Sequence, residues 1–243
     1  MKAAGLLAGE RVLDVACGTG IVARTAAGRV GPGGTVAGLD VNPAMLELAR
    51  ELAGESIEFF EGNAQALPFN EASFDVVFCQ QGLQFFGDRP AAVGEMFRVT
   101  TPRGRAICAV WRGLDQHPAI EVLDRILARY LPPEAVEGSD APFWLDDIDE
   151  VRSLFVDSGF SAVHIRTHIS EIRFASARSM VEGLTGAHAP LAGAIAELDD
   201  EVREVMYREI EEAFAGQIDD DGIMFPMTGA LVVANKQPQP EGS

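Results

Sequence analysis

Near the start of the chain, a glycine-rich segment has one acidic residue just before it and another roughly 20 residues after it, an order that suits ligand binding. Residues 11–20 read RVLDVACGTG, an apolar run that contains Asp14 and ends in a turn with Gly18 and Gly20. A strand, a glycine turn and a helix start together direct free backbone N–H groups and the positive helix end at a ligand, and glycine leaves room for its close approach. Because an anion repels phosphate, Asp14 indicates a ligand with a cationic group.

A second acidic residue follows where a nucleoside-binding site needs one. Residues 35–41 read TVAGLDV, which predicts a buried strand with Asp40 at its carboxyl end. An acid roughly 20 residues beyond such a loop is placed to accept hydrogen bonds from ribose hydroxyls. Gly18, Gly20 and Ala23 also satisfy the dinucleotide pattern G-x-G-x-x-G/A, so an NAD(P)-dependent oxidoreductase is an alternative at this point.

Strands and helices alternate over the first hundred residues, and this alternation predicts how the acids are positioned. It is typical of an α/β fold with a parallel, doubly wound sheet. The predicted strands are residues 11–15, 35–41, 56–61, 73–79 and 105–111, with helices at 21–29, after the N-cap Asn42 and after the N-cap Asp88, and a turn at Pro102 and Gly104.

The remainder of the chain is predicted to add helices and to close the sheet. We expect one domain over residues 1–243, without internal repeats. The predicted elements are a helix at 115–131, a loop at 132–142, a helix at 146–157, one or two strands at 160–174, a helical stretch at 178–216 and a closing strand at 227–235.

The composition disfavours one class of partner. The chain has 243 residues, 47% hydrophobic content and a formal net charge of −18, and its only lysines are Lys2 and Lys236. Such a charge repels nucleic-acid backbones, so we expect no nucleic-acid partner. An acidic, lysine-poor surface suits a high-salt organism, and a high-GC genome that encodes arginine in place of lysine explains it equally well.

Cysteine usage and hydropathy bear on the compartment. Cys17, Cys79 and Cys108 fall in or beside predicted strands and are odd in number, so we expect buried, reduced thiols. The sequence shows no signal peptide and no apolar run of about 18 residues or more, which predicts a soluble, cytoplasmic protein with no membrane span. No metal-ligand spacing stands out, so no metal is predicted. Monomer and homodimer both remain open.

Five motifs in order carry a resemblance to a known family. They are DVACGTG, GLDVNPAML, EGNAQALPF, SFDVVFCQQGLQFF and TPRGRAICAVW. Between residues 11 and 111 the chain resembles the class I S-adenosylmethionine-dependent methyltransferases, in particular the small-molecule group similar to the quinone-biosynthesis C-methyltransferases, with a type 11 methyltransferase domain. The resemblance implies a Rossmann-like, doubly wound sheet of seven mostly parallel strands, with the last strand antiparallel. Residues 1–111 would form the cofactor-binding core, and 112–145 and 175–222 a helical cap on the substrate side.

The resemblance also implies the cofactor and its site. The cofactor would be S-adenosylmethionine, with S-adenosylhomocysteine as product. Asn63 would accept from the adenine amino group where the family often has an acid, Met45 would touch the adenine edge, and the backbone at Gln80 and Gln81 would hold the methionine part. The predicted cofactor-binding residues are Asp14, Ala16, Cys17, Gly18, Thr19, Gly20, Asp40, Val41, Met45, Gly62, Asn63, Ala64, Gln80 and Gln81.

The implied reaction is in-line methyl transfer to a small, aromatic or apolar acceptor, and it asks little of the protein beyond positioning and exclusion of water. No catalytic residue is assigned; His117 and His188 are the candidates for a base, and Phe85 and Phe86 for an aromatic wall of the acceptor pocket. Relatives carry a longer N-terminal segment that folds over the active site than residues 1–10 provide. A non-catalytic S-adenosylmethionine-binding or assembly subunit is therefore the second hypothesis, and the NAD(P)-dependent oxidoreductase the third.

Overall fold

The computed structural model of the chain describes residues 5–186 and 188–238. The strands are β1 (Arg11–Val15), β2 (Thr35–Asp40), β3 (Glu58–Glu61), β4 (Phe74–Gln80), β5 (Thr100–Trp111), β6 (Val163–Phe174), β7 (Ile218–Asp219) and β8 (Gly222–Asn235). The helices are α1 (Ile21–Val30), α2 (Pro43–Ala53), α3 (Arg89–Val99), α4 (Pro118–Tyr130), α5 (Pro133–Val136), α6 (Ile148–Asp157), α7 (Ala177–Thr185), α8 (Ala189–Glu197) and α9 (Asp200–Ala213).

The strand order of the sheet confirms the predicted fold class. It runs β3-β2-β1-β4-β5-β8-β6, and the two-residue strand β7, which was not predicted, pairs with β8. The pairs β1–β2, β1–β4, β2–β3 and β4–β5 are parallel. β8 is antiparallel to β5, since Arg103 N–H donates to the Lys236 carbonyl and Lys236 N–H donates to the Gly104 carbonyl. The order reverses between β1 and β4, where ligands bind in open α/β sheets.

Several predicted boundaries were wrong. Pro102 and Gly104 lie inside β5 and not in a turn. Phe74 pairs with Thr100 whereas Val76 pairs with Arg105, so the extra residues of β5 are accommodated as a bulge. The predicted loop at 132–142 contains the short helix α5, the stretch at 178–216 is divided into α7, α8 and α9, and β8 begins five residues before the predicted closing strand, at Gly222.

The chain divides into two compact units. The first comprises residues 1–110, 145–167 and 230–243, and the second comprises 111–144 and 168–229. In the first unit neighbouring residues along a strand enter different cores, as a doubly wound sheet requires. Val12 and Val76 pack with α1, whereas Leu13 and Val77 pack with residues of α3 and α6.

The second unit has its own apolar core, built from α4, α7, α8, α9 and the parts of β6 and β8 that belong to it. His117 is fully buried in this unit and links two segments: its Nδ1 lies 2.9 Å from the Gly113 carbonyl, and the Thr228 N–H donates to its Nε2 at 3.0 Å. Apart from Leu145, the predicted cap segments at 112–145 and 175–222 fall in this unit.

Arginine ion pairs in the first unit join the start of β1 to β4 and β5. Arg11 at the start of β1 forms an ion pair with Asp75 at 2.9 Å, and the arginine hydrogen bond lowers the pKa of Asp75 below its ordinary value. Arg105 of β5 pairs with Glu10, just before β1, at 2.8 Å.

In the described part of the chain, no helix combines the length and apolar character needed to cross a membrane.

Candidate ligand-binding site

The first unit has a cavity of about 230 Å³ at the carboxyl ends of its central strands. It is lined by residues at the end of β2 and by residues that follow β1, β2, β3 and β4. These positions meet at one edge of the sheet because the strands are parallel. The lining residues are Ala16, Leu39, Asp40, Val41, Gly62, Asn63, Ala64, Gln65, Phe85, Phe86 and Gly87. The structure therefore brings together Ala16, Asp40, Val41 and the segment 62–64 of the predicted site.

The carboxylate of Asp40 connects the glycine loop to the second strand. Its Oδ2 accepts the Gly18 N–H at 2.7 Å, and its Oδ1 accepts the Asn42 N–H at 2.9 Å. A second link is the bond from Cys17 N–H to the Leu39 carbonyl at 3.0 Å. Each carboxylate oxygen has further acceptor capacity, so Asp40 can hold the loop and accept from a ligand hydroxyl at the same time.

Gly18 and Gly20 differ in what surrounds them, so glycine is required at the two positions for different reasons. Both have positive φ, 53° at Gly18 and 77° at Gly20. A Cβ on Gly18 would meet nothing within 4 Å, whereas a Cβ on Gly20 would lie 2.9 Å from Cζ of Phe59 and 3.3 Å from Cβ of Ala49. Gly18 leaves open space beside the loop, as predicted. The prediction that Gly20 does the same was wrong, since its space is taken by the packing of Phe59.

Asp14 is buried and directed at helix α1. Its side chain is 1% exposed, and its Oδ2 accepts the Ala23 N–H at 3.0 Å. Burial raises the pKa of Asp14 to about 7, the Ala23 hydrogen bond opposes this shift, and the negative charge of Asp40 adds to it. Asp14 is not among the residues that line the cavity, so its predicted interaction with a cationic ligand group remains a prediction.

The cavity lining also lacks Cys17, Gly18, Thr19, Gly20 and Met45 of the predicted site. Cys17 is buried, and desolvation together with the charges of Asp14 and Asp40 raises the pKa of its thiol, which keeps it protonated and argues against a nucleophile. Thr19 accepts a hydrogen bond from Arg24 through its carbonyl. Met45 is half-buried in α2, in the turn capped by the Asn42 side chain.

The segment after β4 forms a cluster of amides. Gln81 has a positive φ of 56°, a conformation that costs a non-glycine residue about 1 kcal/mol or more and that is common at functional sites. Its Oε1 accepts a hydrogen bond from Gln84 Nε2 at 3.0 Å. Gln84 is buried, and within residues 5–186 and 188–238 its Oε1 has no hydrogen-bond partner. Gln80 is exposed, and neither it nor Gln81 lines the cavity.

Sequence reasoning missed part of the cavity wall. Leu39, Gln65 and Gly87 were not assigned to the site, and Phe85 and Phe86 were assigned to an acceptor pocket, yet all line the same cavity as Asp40. Phe85 is 52% exposed and Val41 is 72% exposed, so two apolar side chains lie uncovered there. Uncovered apolar surface beside a carboxylate suits a ligand with a flat apolar ring and hydroxyl groups, such as a nucleoside.

The histidine candidates for a base are both engaged by the backbone. His117 is held by Gly113 and Thr228 as described above. His188 caps α8 by accepting the Leu191 N–H on Nδ1, and its Nε2 lies 3.0 Å from the Glu137 carbonyl. Residues 5–186 and 188–238 contain no group of three or more His, Cys, Asp or Glu residues that could hold a metal ion.

Comparison with known proteins finds relatives that are similar to this chain in sequence or in fold. A family described as a methyltransferase domain matches residues 13–108. A demethylmenaquinone methyltransferase of Lactococcus lactis is 35% identical over 186 residues, 69% of this chain and 72% of the relative. The solved structure of YcgJ from Bacillus subtilis is similar with a TM-score of 0.62 at 20% identity, covering 98% of this chain and 96% of that chain.

A solved structure with ligands has the same fold. Phosphoethanolamine N-methyltransferase 2 of Haemonchus contortus, in complex with phosphomonomethylethanolamine and S-adenosylhomocysteine, matches with a TM-score of 0.60 at 19% identity. The similarity covers 98% of this chain and 51% of that chain.

The contrast between the loop glycines can be tested with Gly18→Ala and Gly20→Ala, since both sites have positive φ. We expect Gly18→Ala to weaken S-adenosylhomocysteine binding about tenfold to a hundredfold, because a methyl group in a contact zone costs about 1–3 kcal/mol. Both substitutions should lower the free energy of unfolding by about 1 kcal/mol because alanine is strained at positive φ, and Gly20→Ala should lower it by about 1–3 kcal/mol more through its clash with Phe59. Calorimetric titration and urea unfolding measure the two effects; equal effects of both variants on binding and on stability would contradict the assignment.

The burial of Asp14 predicts a pH dependence of stability. A carboxyl whose pKa is about 7 when folded, against an ordinary 3.8, stabilises the fold most below the unfolded value and loses this contribution as the pH rises to about 7. Relative to Asp14→Asn, which keeps an acceptor for the Ala23 N–H, the native chain should lose about 1.4 kcal/mol of unfolding free energy per pH unit between about pH 5 and about pH 6.5. Urea unfolding of both chains over this range measures it, and parallel profiles would show that Asp14 is not buried as a neutral acid.

Proposed function

Because this chain belongs to the S-adenosylmethionine-dependent methyltransferases, we propose that the cavity around Asp40 holds the adenosine part of the cofactor and that the methyl group goes to a small aromatic acceptor. The chain is an enzyme of this class, and its cofactor is S-adenosylmethionine. The observation that carries the proposal about the site is the position of Asp40, whose carboxylate lines the cavity while it holds Gly18.

The described residues fit an adenosine group. The two Asp40 oxygens can each accept from one ribose hydroxyl in addition to their backbone bonds. Val41 and Phe85 offer apolar surface for the adenine ring. The Oδ1 of Asn63 already accepts the Gln65 N–H at 2.9 Å, so its remaining lone pair would accept from the adenine amino group without charge assistance.

The methionine part would lie along the glycine loop. The open space beside Gly18 allows close approach to the backbone there. Asp40 makes the loop electronegative, and Asp14 adds to this when it is ionised, which suits the ammonium and sulfonium charges. A cation near Asp14 would favour the ionised carboxylate, so we propose that Asp14 supports binding through its charge from beneath the loop rather than by direct contact.

When bound, the cofactor supplies a methyl group on a positively charged sulfur, which is already electrophilic. The protein then has to orient the acceptor and exclude water. Gln80 ends β4, and Gln81 and Gln84 follow it at the reversal of the strand order. Their amides can bond to acceptor hydroxyl or carbonyl groups. Because an amide does not titrate near neutral pH, these residues position the acceptor and do not remove its proton.

For the acceptor we propose a quinol-type or phenolic ring. The Lactococcus lactis relative is named for demethylmenaquinone, and an uncharged amide cluster suits a neutral, hydroxylated aromatic molecule. We also propose that the enzyme acts in the cytoplasm. Its three cysteines are buried and form no disulfide, even though Cys79 and Cys108 lie opposite each other on adjacent strands. Free thiols in such positions are expected in a reducing compartment.

Asp40→Ala tests the cofactor site. We expect S-adenosylhomocysteine to bind about tenfold to a hundredfold more weakly, because ribose hydroxyls without their charged partner cost about 1–3 kcal/mol. Asp147→Ala is a matched control, since Asp147 also accepts two backbone N–H groups, from Asp149 and Glu150, at the start of α6. It should lower stability by about 1 kcal/mol and leave the affinity unchanged. Equal affinities of the Asp40 and Asp147 variants by calorimetry would place the adenosine elsewhere.

Turnover tests the activity and the acceptor. The chain should bind S-adenosylhomocysteine and not NADH, and should form it from S-adenosylmethionine in the presence of a naphthoquinol or a phenol but not of an amine or thiol. Mass spectrometry of the acceptor identifies the methylated atom. Methylation of only the amine or thiol would refute the proposed acceptor class, and binding without turnover on any acceptor would favour a non-catalytic subunit.

A further inference from the structure

The first unit has another cavity, of about 400 Å³, here called the amino-end cavity. It lies at the amino ends of three strands, with Thr35 of β2, Glu58 of β3 and Phe74 of β4 in its wall. The cavity around Asp40 lies at the carboxyl ends of the same strands, and the two cavities share no lining residue. Cavities that bind small molecules measure about 300–1,000 Å³, so this one has room for a small organic ligand.

The space in the amino-end cavity comes from short side chains on one face of the sheet. Thr35 and Ala37 are two residues apart on β2, so their side chains point to the same face. Ala37 lies opposite Leu13 of β1 and Glu58 of β3 in the strand register, and an alanine between two larger side chains leaves a gap. Thr35 and Glu58 are exposed, so the gap is open to solvent and a ligand can enter it.

Three phenylalanines form the apolar part of the wall. Phe69 makes edge-to-face contacts with Phe60 and with Phe74, each with 5.1 Å between the ring centroids. Phe74 belongs to the apolar core, and the other two rings pack against that core, so all three are held in place. An aromatic ring attracts a cation that lies within about 6 Å of its centroid. The wall therefore suits a ligand that has an apolar body and a positive charge.

The polar side chains of the wall can all accept a hydrogen bond; they are Thr35, Glu55, Ser56 and Glu58. The Ser56 hydroxyl donates to the Ala53 carbonyl at 3.0 Å, so only its acceptor capacity is left for a ligand. Among the described residues, no lysine, arginine or histidine lines the cavity. An ammonium group has three donors and no acceptor, so it matches this wall.

The two carboxylates of the wall have no cationic partner. Within residues 5–186 and 188–238, neither Glu55 nor Glu58 makes an ion pair or a side-chain hydrogen bond. Arg98 donates to the Phe69 carbonyl, but its charge is offset by a two-point ion pair with Glu95. The field in the cavity is therefore negative. Because both wall glutamates are exposed, salt weakens this field.

We propose that the amino-end cavity binds a small organic amine as its ammonium ion. The apolar body of the amine would contact the three phenylalanine rings, and the ammonium group would donate to the carboxylates of Glu55 and Glu58. This site is formed within the first unit at the end of the strands opposite the cavity around Asp40, so it does not depend on the assignment of the cofactor site.

Benzylamine and benzoate are matched probes, since they share a ring and differ in charge. Alanine labelled with ¹³C in its methyl group reports by NMR where each probe binds, because Ala37 lines the amino-end cavity and Ala16 lines the cavity around Asp40. Ala37→Ser and Ala16→Ser assign the two signals. We expect benzylamine to shift the Ala37 signal saturably while the Ala16 signal stays in place, and benzoate to shift neither.

Two results of the NMR titration would overturn the proposal. The first is the absence of a saturable Ala37 shift with benzylamine, including a shift of Ala16 alone, which would place the amine in the cavity around Asp40. The second is an equal Ala37 shift with benzoate, which would show that the cavity does not select for positive charge.

Paired substitutions of exposed glutamates separate the charge of the wall from the net charge of the chain. Glu55→Gln with Glu58→Gln should weaken benzylamine binding about fivefold, the scale of exposed ion pairs. Glu47→Gln with Glu61→Gln changes the net charge equally, but neither residue lines the cavity, so the affinity should stay the same.

Calorimetric titration at low salt measures both affinities, and urea unfolding checks that both double variants fold. None of the four glutamates makes a side-chain hydrogen bond or ion pair with another described residue, so stability should change little. Equal benzylamine affinity in the two double variants would refute the role of Glu55 and Glu58.

Discussion

The candidate site depends on one charge-assisted hydrogen bond, the 2.7 Å contact from Gly18 N–H to the Asp40 carboxylate. It joins the loop after β1 to the end of β2, and so sets the shape of the loop before any ligand arrives. The open space beside Gly18 and the uncovered side chains of Val41 and Phe85 then lie around one carboxylate. A preformed loop spends less conformational entropy on binding than one that a ligand must order.

Much of the first hundred residues could be predicted because its signals are local. Asn42 and Asp88 cap the helices that follow them, and Asp40 ends a strand, since these roles depend on neighbours within a few residues. Parallel strands then bring Asp40, Asn63 and Ala16 to one edge of the sheet without further information. The family motifs were informative for the same reason.

The features that could not be predicted from the sequence depend on contacts between segments that are distant in sequence. Phe85 lines the Asp40 cavity because of how the chain turns after β4, and Gly20 is needed because Phe59, about forty residues later, fills the space beside it. The burial of Asp14 likewise depends on the helix that covers it. In the second unit, helical periodicity indicated one long stretch, whereas its division into α7, α8 and α9 reflects caps and turns at Ser176, His188 and Asp199.

The arginine ion pairs at the edge of the first unit have a consequence for alkaline conditions. A lysine ammonium loses its proton near pH 10.4, whereas a guanidinium remains charged beyond about pH 12. The links from Arg11 to Asp75 and from Arg105 to Glu10 therefore persist where lysine pairs would be lost. The use of arginine in both ion pairs thus gives the attachment of the first strand a resistance to base that the same fold with lysine at these two positions would not have.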